Sequence, residues 1–248
     1  MKRITGVEWG DLLAEEFAGF DDGQLDAVAI RKHLGILIRI GEALSFAHSR
    51  GIIHRDLKPE NVVVGDFGEM YLIDWGIACS LPEGGVFEAR GFVGTPCYAA
   101  PEMLSRDPKL DVRTDVYLLG ATMYHMMTGH PPHMGDSIQA VFEMALQYPV
   151  PSLSDAWPSP LKQICIRAMA ADPDDRYSSV LSMLEDIRYF LEYGELSDLE
   201  SKCDQELAEL ESQIVDEHLD EEAYETIGTK CRFGLERLQQ AWPGMSGF

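Results

Sequence analysis

The sequence predicts a mainly helical fold of α+β type, a helical lobe carrying one small β-hairpin and followed by a helical C-terminal tail. Three observations predict it. Apolar residues recur at helical spacing ahead of position 50, two short β-runs flank a glycine-containing turn between 61 and 73, and an acid-crowded leucine stripe runs along 196–242.

In chain order, Leu25, Val28, Leu34, Leu37, Ile38, Leu44 and Ala47 mark a long helix from about Gly23 to Arg50, because a spacing of three to four places side chains on one face. That helix delivers the chain to Gly51 and to "HRDLKPEN" at 54–61. The stretch "NVVVGDFGEMYLIDWG" reads as the two strands of the hairpin, with Asn61 before the first and Asp74 after the second. Closing the hairpin brings both side chains to one end. A Gly-rich stretch over 79–96 comes next, then a buried helix from Asp115 to Thr128, a Pro-rich loop and further helices up to about Tyr193. We divide the chain into a lobe over 1–192 and a tail over 193–248, where Leu196, Leu199, Leu207, Leu210, Ile214 and Leu219 keep helical spacing between acidic residues. Such a tail is an amphipathic helix or pair of helices that must bury its apolar stripe on something.

Charge excludes two classes of partner. The 248 residues carry 20 basic and 42 acidic side chains, a net charge of −22, which repels nucleic-acid phosphates and anionic membranes alike. Five scattered cysteines without a CxxC pair read as the reduced thiols of a cytoplasmic protein, not a disulfide framework or a zinc site. The opening "MKRITGVEWGDLL" lacks the apolar run of a signal peptide, and "VYLLGATMYHMM" at 116–127 is too short to span a bilayer.

The chemistry follows from residue types. Phosphoryl transfer to a hydroxyl needs a carboxylate to accept the hydroxyl proton, hard oxygen ligands for a metal that holds the phosphates, and a cation to offset charge on the transferred group. Asp56 can be the carboxylate, Lys58 the cation, and Asn61 with Asp74 the ligands of Mg²⁺.

The order of "HRDLKPEN", "DWG" (74–76), "GTPCYAAPE" (94–102), "TDVYLLG" (114–120) and "DDRY" (174–177) resembles the large lobe of a eukaryotic-like serine/threonine protein kinase of bacterial type, over roughly residues 1–192. The resemblance implies ATP and Mg²⁺ as cofactors and a Ser/Thr-bearing protein as substrate. It implies Asp56 as base, Lys58 at the transferred phosphoryl, Asn61 and Asp74 on the metal, and Thr95 hydrogen-bonded near the base. It further implies that Asp115 braces the catalytic-loop backbone and that Glu102 pairs with Arg176. Arg55 would ordinarily receive a phosphate from the activation segment, which offers only Ser80 and Thr95 as aliphatic hydroxyls, so Glu83 or Glu88 could stand in for it. The opening segment resembles the hinge between lobes, placing Met1 at the gatekeeper position, Ile4 at the adenine, Glu8 at the ribose and Val63 under the adenine.

The resemblance also implies a departure. A chain that starts at the hinge lacks the small lobe, and no G-x-G-x-x-G occurs anywhere in it. "AVAIRK" (27–32) imitates a strand-lysine motif, but it sits in the helical pattern with Arg31 at the key position. The expectation is a serine/threonine kinase in truncated form, with little activity on its own and in need of a small-lobe partner or of self-association. The alternatives are a silent half-kinase serving as a regulatory or scaffold module and, more remotely, a small-molecule phosphotransferase, a class that lacks the "APE" present at 100–102.

Overall fold

The structure is a computed structural model that describes residues 5–19, 27–147 and 150–193. Met1, Ile4 and the tail beyond 193 lie outside the described residues. The chain divides into two units, Met1–Arg188 and Tyr189–Phe248, and every element that positions the site belongs to the first.

The described chain opens with strand β1 (Val7–Glu8) and helix α1 (Trp9–Gly19), a helix that the hinge reading of this segment does not include. Helix α2 (Ala27–Ser49) follows and runs into β2 (Ile52–Ile53). Leu34, Leu37, Leu44 and Ala47 are buried on α2 as their spacing predicts, joined by Ile36 and Ile40. Val28 is not part of that face: it is 77% exposed, because it lies half a turn round the helix from Leu37.

The hairpin is present, with β3 (Val62–Val64) antiparallel to β4 (Met70–Leu72). Its turn is closed by Gly65 N–H to Glu69 O at 2.7 Å and leaves Phe67 at the tip 92% exposed. β1 pairs on the outer side of β3, Glu8 opposite Val63, making a three-stranded sheet. Only glycine fits at position 6, since a Cβ there would stand 2.4 Å from Val64 O.

Two further two-stranded pairings pin the segment that follows. β5 (Cys79–Ser80) pairs with β2, and β6 (Phe87–Glu88) pairs with β7 (Lys109–Leu110). Short 3₁₀ turns at Pro59–Asn61, Pro96–Tyr98 and Pro101–Leu104 each open on a proline, whose fixed φ suits a first helical position.

Helix α3 (Val112–Thr128) is the central pillar. The sequence placed its start at Asp115, but the helix begins one turn earlier because the Asp111 side chain caps it, accepting from Arg113 N–H at 2.7 Å. Leu118, Leu119, Met123 and Met126 on it are fully or nearly fully buried. Helix α2 and α5 (Ser159–Ala168) pack against it, α4 (Ile138–Gln147) packs on the turns Pro96–Tyr98 and Pro101–Leu104, and a last helix, α6, covers 180–193. Among the described residues no helix is long and apolar enough to cross a membrane.

One buried group makes this core acid-sensitive. His133 is fully buried, its Nε2 meets the Tyr117 hydroxyl at 2.9 Å, and its Nδ1 has no partner. Burial pushes its pKa down to about 4, so the unfolded chain, with an ordinary histidine, binds the proton more tightly. Its contribution to stability is therefore complete above the ordinary histidine range and is lost as pH falls through that range toward about 4. His133→Phe is expected to be relatively more stable than the native chain at low pH, by about 2 kcal/mol near pH 5, and to differ little at neutral pH. Thermal melts of both proteins across that range check it; parallel pH profiles would contradict it.

Candidate active site

The loop after β2 is shaped by one buried carboxylate. Asp115, wholly buried on α3, accepts from His54 N–H at 2.8 Å and Arg55 N–H at 2.9 Å, and pairs with His48 Nε2 at 2.8 Å. A carboxylate out of water needs such donors. In return it fixes Arg55 in the left-handed region (φ 70), which a non-glycine residue holds only when its surroundings compel it. The next side chain, Asp56, is thereby aimed out of the core.

His54 completes the loop from inside. It is fully buried, accepts from Asp56 N–H at Nδ1 (3.2 Å) and donates from Nε2 to Ile73 O (3.2 Å), so its neutral form is the one in use. Burial lowers its pKa, against the opposing pull of Asp115. The Trp75 ring meets it edge-on, centroids 4.6 Å apart, while Trp75 itself stays 37% exposed.

Around Asp56 the structure brings together three other predicted residues. Asp56 Oδ1 accepts from Thr95 N–H at 2.9 Å and from the Thr95 hydroxyl at 2.7 Å. That hydroxyl in turn accepts from Lys58 Nζ at 2.7 Å. Asp56 Oδ2 faces Asn61 Nδ2 at 3.1 Å and Lys58 Nζ at 3.5 Å. Thr95 reaches the loop because Gly94 precedes it at φ 137, where a Cβ would stand 3.0 Å from Arg55 O.

Asn61 and Asp74 stand at the same end of the hairpin. Asn61 O accepts from Ile73 N–H at 2.9 Å, which sets Asp74 one residue beyond that bond. The Asn61 amide nitrogen is spent on Asp56, bonding its backbone oxygen at 2.7 Å as well as Oδ2, so its oxygen is the atom it can offer. Asp74 is exposed, sits at φ 57, and accepts only a long 3.3 Å contact from Gly76 N–H among the described residues. Two hard oxygens without a protein cation on Asp74 fit a divalent ion such as Mg²⁺, which keeps its remaining positions for phosphates and water.

Of the four nucleotide-side expectations, the described residues include two. Glu8 and Val63 are register partners in the β1–β3 pairing, Glu8 exposed and Val63 half-buried. The supporting pair is also present. Arg176 donates to both oxygens of Glu102, at 2.8 and 2.7 Å.

Arg55 differs from its expectation. Neither Glu83 nor Glu88 meets it among the described residues. Its guanidinium donates to Ile77 O, with Nε at 2.6 Å, and lies over the Phe87 ring, 5.3 Å from the centroid. Glu88 is instead the β-pairing partner of Lys109. The sequence reading also missed His48. A signal existed: an Asp destined for the core needs donors, and His48 occupies the last turn of the helix entering the loop.

The chain is similar to known proteins. The protein kinase domain family matches residues 22–190. Serine/threonine-protein kinase PknB of Mycolicibacterium smegmatis is 36% identical over 193 residues, covering 75% of this chain and 29% of its own. Serine/threonine-protein kinase PknL of Mycobacterium tuberculosis is 34% identical over 195 residues, covering 77% of this chain and 46% of its own. The probable serine/threonine-protein kinase PknB of Bifidobacterium longum is 36% identical over 168 residues, 64% of this chain and 24% of its own. The chain thus spans between about a quarter and a half of the length of these relatives. The molecule belongs to the protein kinase domain family.

Proposed function

We propose that this chain is the large lobe of a serine/threonine protein kinase and carries the residues that transfer a phosphoryl group from ATP to a protein hydroxyl. The observation that supports this most is the differentiated carboxylate of Asp56. Thr95 saturates one oxygen with two donors, and the other, near Asn61 and Lys58, is left to meet a substrate hydroxyl. In that role Asp56 orients the hydroxyl and accepts its proton, and Lys58 offsets charge on the group in transfer. Asn61 and Asp74 would hold Mg²⁺, which when bound spreads and neutralises charge on the phosphates. Glu8 and Val63 form the adenosine side.

The phosphates also need a Gly-rich cover and a lysine on their α- and β-groups. No G-x-G-x-x-G lies in these 248 residues, so we propose that the cover comes from a small-lobe segment and that the chain by itself turns over little. Val7 and Trp75, 44% and 37% exposed, leave apolar surface for such a segment to bury.

The test is nucleotide titration of the chain with and without Mg²⁺. The expected result is weak binding of ATP that strengthens with Mg²⁺ and loses that response in Asp74→Ala. Binding indifferent to both the metal and Asp74 would count against the assignment.

A further inference from the structure

Trp9 and His33, 24 positions apart, meet in the core although neither belongs to the Asp56 group. Both are fully buried. The indole Nε1 donates to His33 Nδ1 at 2.8 Å, with the rings stacked at a centroid distance of 6.1 Å. On the other edge of the imidazole, Nε2 meets Glu16 Oε2 at 2.7 Å, and Lys32 holds the second Glu16 oxygen.

An indole N–H can only donate, so Nδ1 must accept and the single proton of a neutral ring must sit on Nε2, where Glu16 takes it. One tautomer therefore satisfies both neighbours and ties α1 to α2. Its reach extends to the site, because Glu8, next to Trp9 in the chain, is the β1 residue paired with Val63. A second ring proton, on Nδ1, would point at the indole N–H and break the bond.

The charged groups acting on the imidazole are Glu16, from α1, and Lys32, on α2 itself. Glu16 favours the second proton and Lys32 opposes it, while burial is the largest influence and lowers the pKa below the ordinary histidine value. The bond is thus intact at neutral pH and is lost on acidification.

We propose that His33 is a positioning residue for the nucleotide platform: its neutral imidazole clamps Trp9, and with it β1 and α1, and a second proton on the ring releases them. The platform's role rests on the function proposed above; the clamp itself does not, and the two can be tested apart.

The experiment is hydrogen exchange of residues 5–19 in the whole chain, followed by mass spectrometry from about pH 7.5 to about pH 5 and corrected for intrinsic exchange. Two variants accompany it. His33→Gln offers an oxygen to the indole and an amide N–H to Glu16 without titrating, and His33→Leu offers neither. In the native chain, protection of 5–19 is expected to fall about tenfold on acidification, the worth of one buried hydrogen bond, over and above any fall that it shares with α3 through His133. His33→Gln should hold its protection across the range, and His33→Leu should lack it throughout. The same pH dependence in His33→Gln as in the native chain, or full protection in His33→Leu, overturns the proposal. Titration with Mg²⁺-ATP at each pH separates the two readings. Affinity that falls in step with protection supports both. Exchange that follows His33 with no nucleotide bound at any pH upholds the clamp and sinks the nucleotide reading.

Discussion

Asp56→Asn is expected to remove between about 10²- and 10⁴-fold of the phosphoryl-transfer rate, the usual worth of a positioned general base. The measurement is transfer of labelled phosphate from ATP to a Ser/Thr peptide by the chain supplied with a kinase small lobe. The same assay on the 248-residue chain alone is expected to give almost no transfer. The substitution is informative because it keeps the shape. The Asn oxygen can still accept from Thr95 N–H and from the Thr95 hydroxyl, as Asp56 Oδ1 does at 2.9 and 2.7 Å. Its amide nitrogen is then forced toward Asn61 Nδ2 and Lys58 Nζ, which stand 3.1 and 3.5 Å from Oδ2, so donors face donors and no base remains. Folding should change little, since the Thr95 bonds and the backbone bonds from Asp115 survive. An unaltered melt with a collapsed rate would place the loss in the chemistry. An undiminished rate would mean that another group takes the proton, and robust turnover by the chain alone would mean that these residues need no cover.

What was legible in the sequence was local or spelled in a motif. Asp56, Lys58 and Asn61 lie within six positions, so one loop suffices to gather them, and the hairpin that carries Asn61 toward Asp74 announces itself by two apolar runs around Gly65 and Gly68. Glu102 and Arg176 are 74 positions apart and were legible only through the resemblance, because no periodicity connects them. The two-residue strands β1, β2, β5, β6 and β7 were not legible at all. Strands so short have no alternation to read and exist only because a distant partner supplies their hydrogen bonds. Phe87 shows the same limit. Its place over Arg55 depends on β6 pairing with β7, a tertiary event invisible in "GGVFEAR". The Trp9–His33 pair was hidden for a different reason: each residue alone looks like ordinary core, and only the fold brings their nitrogens together.

Arg176→Leu is expected to cost roughly 3–5 kcal/mol of stability, the range for removing one member of a buried ion pair. Arg176 has almost no surface exposed, 4% for the residue, and spends its donors on more than Glu102: Ala170 O, Ala171 O and Arg113 O accept from it at 2.7, 3.1 and 3.0 Å. Its guanidinium also lies over the Tyr117 ring, 4.8 Å from the centroid. Leucine would leave the Glu102 carboxylate largely buried without its cation, and three carbonyls without their donor. For a domain of this size the melting temperature should fall on the order of 10 °C. The loss should not stay local. Glu102 sits in the turn Pro101–Leu104, a few residues beyond the turn Pro96–Tyr98 that begins next to Thr95, so a loosened Glu102 frees the segment that holds Asp56. Glu102→Leu combined with Arg176→Leu removes the orphaned charge along with its partner, and the pair is expected to cost clearly less than the sum of the single changes. Melts of the two single variants and the double variant decide it. Additive losses would mean that Arg176 stabilises the chain through the carbonyls and Tyr117 alone, and that the 74-residue link to Glu102 contributes nothing of its own.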